Sequence, residues 1–191
     1  MRACKLALVW FACTGISALP GLSQTPSPAR TPAPAQTKGG GTATPAPQIH
    51  ATLAQLMKGI IYPASNVIFA AQSENPAEVP PAKDPSTATN PLASSYGKWE
   101  AVENAGLAIA EAANLLTLRG RKCGNGLVVP LRNADWATFV QGLRDAGMKT
   151  YKAAQSKNQD NILDAADAIS TACANCHDKY REKPNLADRC K

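Results

Sequence analysis

Histidine and aromatic residues are scarce in this chain of 191 residues. There are two histidines, and aromatic side chains make up 5% of the total although 45% is hydrophobic. The core must therefore be built mainly from aliphatic residues, and the length allows at most one globular domain of ordinary size. β-Branched residues are sparse in the second half while Ala is abundant, which argues against sheet and for helix. No stripe of Lys and Arg is present. Positive residues are interspersed with Asp and Glu, so no nucleic-acid partner is expected and the formal charge of +6 reads as solubility. Nothing resembles a catalytic acid–base pair or a nucleophile with its base, so the chain is not read as an enzyme. No hydrophobic run is long enough to cross a bilayer comfortably, so no transmembrane span is expected.

The N-terminal apolar run, LALVWFACTGISAL, follows the doubly charged MRACK and ends at Pro20, with the small residues Gly21 and Ser23 just beyond. That is the pattern of a secretory signal peptide over residues 1–23, cut after Ser23. The protein is then periplasmic or otherwise exported, and loss of Arg2 and Lys5 leaves a net charge of +4. Lipoprotein anchoring through Cys13 is the minor alternative, because Trp10 stands where a leucine-like residue is usual. Residues 24–48 are rich in Pro, Ala and Gly, bury nothing, and read as a disordered linker.

Residues 49–191 form the folded domain. Apolar residues recur at helical spacing over 50–72, from 92 to 116, from 134 to 154, and over 159–182. Pro63 interrupts the first segment and predicts a kink or local break there. Four amphipathic helices in series pack most simply as an all-α, antiparallel up-down-up-down four-helix bundle. In that topology the start of helix one, the connection between helices two and three, and the end of helix four share one end. Met57, Cys123, Cys173, Cys176, His177 and Cys190 are thereby gathered.

The stretch TACANCHDKYREKP holds the chemistry. A structural zinc site needs four ligands in tetrahedral array, and no second Cys-x-x-Cys or paired His completes Cys173, Cys176 and His177. A redox dithiol needs a thiol of depressed pKa, whereas this pair lies late in its helix, towards the negative end of the dipole. Covalent haem has its requirements met. Thiols three residues apart each bond one vinyl group of a porphyrin, and the following His faces the iron. Residue frequencies give C-x-x-C-H by chance on the order of 0.002 times in such a chain.

CANCHDKYR, late in the last of four helices, resembles the cytochrome c-prime family and its low-spin, Met-ligated relatives over about residues 49 to 183. The resemblance implies one covalent haem c near the C-terminal end of the last helix, with His177 as proximal iron ligand. It also implies Arg181 as a proximal-side charge and, frequently, a homodimer. Family members divide by the distal face. An apolar residue from helix one leaves iron open to NO or CO, while a Met closes it for electron transfer, and Met57 stands on the apolar stripe near that end. Met148 is a weaker candidate. The Arg often found in helix one is absent here, with Gln55 and Lys58 the nearest polar residues. Trp99 and Trp136 read as core aromatics, either of which would edge a porphyrin.

Cys4 and Cys13 leave with the signal peptide and haem takes two more, so Cys123 and Cys190 remain for a disulfide in an oxidising compartment. The expected function is electron transfer by a mono-haem c-type cytochrome with redox partner proteins. The alternative is a five-coordinate haem protein that binds NO or CO.

Overall fold

The computed structural model describes residues 45–190; the expected signal peptide, Cys13 and the expected linker up to residue 44 lie outside them. Thr52 starts the first helical rod by a reciprocal cap. Its hydroxyl accepts from the Gln55 N–H at 3.2 Å, while the Gln55 side chain accepts from the Thr52 N–H at 2.8 Å. Helix α1 then spans Leu53–Leu56. The expected break at Pro63 takes the form of a π-helical turn, Met57–Ile61, after which α2 runs over Tyr62–Ser73. A proline ring clashes with the carbonyl one turn back and offers that carbonyl no donor. Here Tyr62 N–H instead reaches the Met57 carbonyl, and Pro63 falls in the first turn of α2, where no donor is required.

Helix α3 spans Lys98–Leu115, six residues shorter at its start than the periodicity predicts. Pro91–Ala93 forms a 3-10 turn instead, and the chain tightens so far that a side chain at Gly97 would strike the carbonyls of Leu92 and Ser94. Tyr96, inside the segment where the periodicity predicts helix, is 70% exposed. Helices α4, Ala134–Ser156, and α5, Gln159–Tyr180, follow as expected. Lys157 turns the chain between them in the left-handed region, at φ 52°, and Asn158 caps α5 by accepting from Asp160 and Asn161. Helix α5 stops at Tyr180 because Arg181 and Glu182 both donate to the His177 carbonyl and Pro184 bars a further turn.

Each rod packs on the next in sequence, and α2 also packs on α5, making an all-helical bundle. Helices α3 and α4 touch backbone to backbone: a methyl on Gly106 would lie 2.8 Å from the Gly147 carbonyl, and one on Gly147 would lie 2.8 Å from that of Gly106. Among the described residues there is no strand, only an antiparallel bridge between Lys122 and Val128, and no helix is long and apolar enough to cross a membrane.

The interior divides into two clusters. One uses the start of the first rod, the end of α3, the start of α4 and the end of α5, with Leu56, Ile109, Trp136 and Ile169 buried. The other uses the remaining portions, with Leu92, Trp99, Val102 and Ile162 buried. Each such side chain removed from water stabilises the fold by about 1.5–3 kcal/mol. The connection from Thr117 to Asn133, beside the first cluster, holds four Arg and Lys and no carboxylate.

Candidate functional site

Residues separated by three and four along a helix stand above one another. On α5 this brings Cys173, Cys176, His177 and Tyr180 to one face, and all four line a single cavity of about 690 Å³. Its size lies within the roughly 300–1,000 Å³ of small-molecule and cofactor sites. The first rod contributes Leu53, Met57 and Ile61 to the wall, and α4 contributes Trp136, Phe139, Val140 and Leu143. The lining is thus overwhelmingly apolar, with His177, Arg181, Glu182, Arg189 and Lys58 as its titratable groups outside the thiols and the phenols of Tyr62 and Tyr180.

Cys173 and Cys176 are free thiols, each half-buried. Burial pushes both up, and Cys176 rises to about 11 with further contributions from Cys173 and Asp135. Such thiols stay protonated near neutrality, which is the opposite of a poised dithiol. His177 is lowered, first by burial and then by the Arg181 cation, against smaller opposing effects of Glu182 and Asp178. Its imidazole is neutral at neutral pH and keeps a lone pair for a metal. Arg181 lies at the rim, its side chain 52% exposed and paired with the adjacent Glu182. Met57 is half-buried in the π turn, on the cavity wall. Met148 and Trp99 are not among the lining residues, and Trp99 belongs to the second cluster.

A cluster that sequence reading missed holds the floor. Tyr180 is buried edge-on against Trp136, with ring centroids 5.1 Å apart. Its hydroxyl donates to the Asp135 carboxylate and accepts from Asn133 Nδ2 at 3.2 Å. Burial and Asp135 together push the phenol up to about 12. Trp136 Nε1 donates to the Leu116 carbonyl at 3.2 Å, so one end of α4 is pinned to the end of α3. The helical stripe through Tyr180 was the only available signal; Asn133 and Asp135 resemble any polar helix start.

Cys123 and Cys190 are joined in a disulfide, with Cα atoms 5.0 Å apart across 67 residues of sequence. The tail beyond α5 is tied down at several points. Cys190 N–H donates to the Tyr180 carbonyl at 2.9 Å, and Asn125 Nδ2 donates to that of Arg189 at 2.7 Å. Arg121, buried at the root of this connection, donates to the carbonyls of Leu115 and Ala51 at 3.1 and 2.6 Å and so ties the first rod to α3.

The donor set can be compared with what zinc and haem each ask of a chain. Zinc asks for four ligands, and among the described residues no group of three or more His, Cys, Asp or Glu is placed to hold a metal ion. Haem brings four nitrogen donors of its own. It asks the chain for two thiols, an axial imidazole and an apolar pocket, each of which this cavity offers. Compared with protein-family models, with curated proteins and with solved structures, the chain finds no match in any of the three.

Proposed function

We propose that this protein is an exported mono-haem c-type cytochrome that passes single electrons between redox partner proteins. Its domain is then an antiparallel up-down-up-down bundle carrying one haem c. The convergence of Cys173, Cys176, His177 and Met57 on one apolar cavity is the observation that carries this reading. Cys173 and Cys176 hold the group by thioethers, His177 is the proximal iron ligand, and Met57 is the sixth. When bound, the haem supplies an iron that exchanges one electron and turns over no substrate.

The chain's own side chains set the conditions of that exchange. Trp136, Phe139, Val140 and Leu143 exclude water from the cavity and keep its dielectric low. Arg181 stands at the rim as the proximal-side charge, paired with Glu182.

A second reading, an open iron that binds NO or CO, is favoured by the company Met57 keeps. Leu53, Ile61 and Phe69 line the same wall and allow Met57 to serve as packing. An optical spectrum of the purified full chain, ferric and ferrous, with CO added to the reduced form, separates the readings. Low-spin iron with a methionine-to-iron band, unmoved by CO and opened by Met57→Leu, is the expected outcome. High-spin iron that takes CO readily would give the second reading precedence. A chain without covalent haem after expression alongside a c-type maturation system would overturn both.

A further inference from the structure

Arg189 lies eight residues beyond the last residue of the resemblance's motif and outside every predicted helix, yet it lines the cavity. Its side chain is 24% exposed, against 52% for Arg181 on the same rim. The backbone on either side is fixed. The next residue is the disulfide-bonded Cys190, and the Arg189 carbonyl accepts from Asn125 Nδ2 at 2.7 Å. The side chain is held as well, because Nε donates to the Lys183 carbonyl at 2.5 Å. That leaves the outer edge of the guanidinium. The nearest carboxylate, that of Glu182, is 3.9 Å from Nη1, and Glu182 is itself engaged more closely by Arg181.

A guanidinium presents a planar fork of donors that matches a carboxylate, and removing its rotational freedom in advance makes the pairing stronger. The two other cations of the lining differ. Lys58 is exposed on the first rod and carries a point charge on a flexible stem, and Arg181 already has its partner. The contacts that order Arg189 come from the tail, from the end of α5 and from the connection Thr117 to Asn133, which the Cys123–Cys190 bond joins to the tail.

We propose that Arg189 is the anchor for a carboxylate of the group held in the cavity, and that the Cys123–Cys190 disulfide positions it. Resting on the haem reading above, this assigns Arg189 to a porphyrin propionate and makes the C-terminal tail a wall of the site. Arg189 is a positioning residue, since it holds the periphery of the group and not its iron.

The test uses the full-length holoprotein and two readouts, the midpoint potential and the propionate-sensitive bands of the resonance Raman spectrum. Arg189→Leu removes the fork and the charge. The potential is expected to move negative and the propionate bands to shift, with the haem still covalently attached. Arg189→Lys restores the charge without the fork, so the potential returns part of the way while the bands stay shifted. Cys123→Ser with Cys190→Ser unpins the tail and is expected to shift the same bands in the same direction as Arg189→Leu. Unchanged bands and potential in Arg189→Leu would overturn the proposal, as would bands that move in Arg181→Leu and not in Arg189→Leu. An altered Arg189→Leu beside an unaltered double Ser variant would overturn the role of the disulfide. Failure of the unaltered chain to take haem at all strikes the functional reading and is seen before any variant is made.

Discussion

Ile162 and Cys173 stand on the same stripe of α5, about three turns apart, and face interiors of different kinds. Around Ile162 the bundle closes on itself. Leu92, Val102, Ala154 and Ala165 are at most 1% exposed. Around Cys173 the same four rods leave a cavity of about 690 Å³, rimmed by polar groups and strapped by a disulfide. The charges follow suit. The first rod's Lys58, the connection Thr117 to Asn133, Asp135 and the residues from Asp178 to Arg189 together hold nine Lys and Arg against four Asp and Glu. The rest of the described residues hold six against ten. A bundle of one architecture thus carries a net-acidic, closely packed portion whose work is stability, and a basic portion that keeps a cavity. Small domains have little stability to spare, and concentrating close packing in one half lets the other half stay open.

The largest effect expected from breaking this division lies in the strap. Replacing Cys123 and Cys190 by Ser releases a loop of 67 residues and is expected to lower unfolding stability by about 4 kcal/mol in the chain-entropy model. Urea denaturation gives the magnitude. Amide exchange gives the location: protection should fall in the tail and in the connection Thr117 to Asn133, and not around Ile162.

Next comes a contrast between two truncations. Ile162→Ala leaves a hole in the closed cluster and is expected to destabilise by about 3 kcal/mol whether or not a cofactor is bound. Val140→Ala enlarges a cavity that is already there, so in the haem-free chain it is expected to remove only about 1 kcal/mol, close to the transfer value of the lost methyl groups. Its effect should grow in the holoprotein, where the wall has something to pack against. Equal losses in the two haem-free variants would mean that the cavity has collapsed in solution.

A smaller effect is tied to pH. Asp135 is held below the usual carboxylate value, first by the Tyr180 hydroxyl and then by Lys179, against burial. A depressed folded-state pKa contributes stability that is complete above the unfolded value and is lost as pH falls through the folded one. Tyr180→Phe removes the main cause. The variant should therefore be less stable than the unaltered chain at about pH 6, and the difference should narrow by about pH 3. Urea midpoints at the two pH values check this; a gap that stays constant would assign the loss to packing against Trp136.

The smallest effect concerns the field at the cavity. If electrons leave by the basic portion, reoxidation of the reduced holoprotein by ferricyanide should slow as salt is added, and reoxidation by a cationic cobalt(III) complex should quicken. Stopped-flow rates over a range of ionic strength suffice, and two flat profiles would place the exchange elsewhere on the surface.

Local chemistry made several of these features legible in advance. Apolar residues at intervals of three and four mark α4 and α5 with little error, because a helix needs only its own backbone bonds and one buried stripe. Cys173, Cys176 and His177 are legible for the same reason: their spacing and the helical repeat suffice to put them on one face. Where a tighter turn competes with the helix, as at Pro91 and Gly97, periodicity over-extends α3 and misplaces Tyr96. The π turn before Pro63 is a packing solution among several that a proline permits, and so is visible only in the folded chain.

What the chain alone determined, then, is its helices and the shared face of Cys173, Cys176 and His177. Tertiary structure decided that those helices leave a cavity, that Asn133, Asp135 and Trp136 meet Tyr180 beneath it, and that Arg189 returns to its rim. Each of these depends on groups far apart in sequence, whose meeting is set by how whole rods pack, and no local pattern records such a distance.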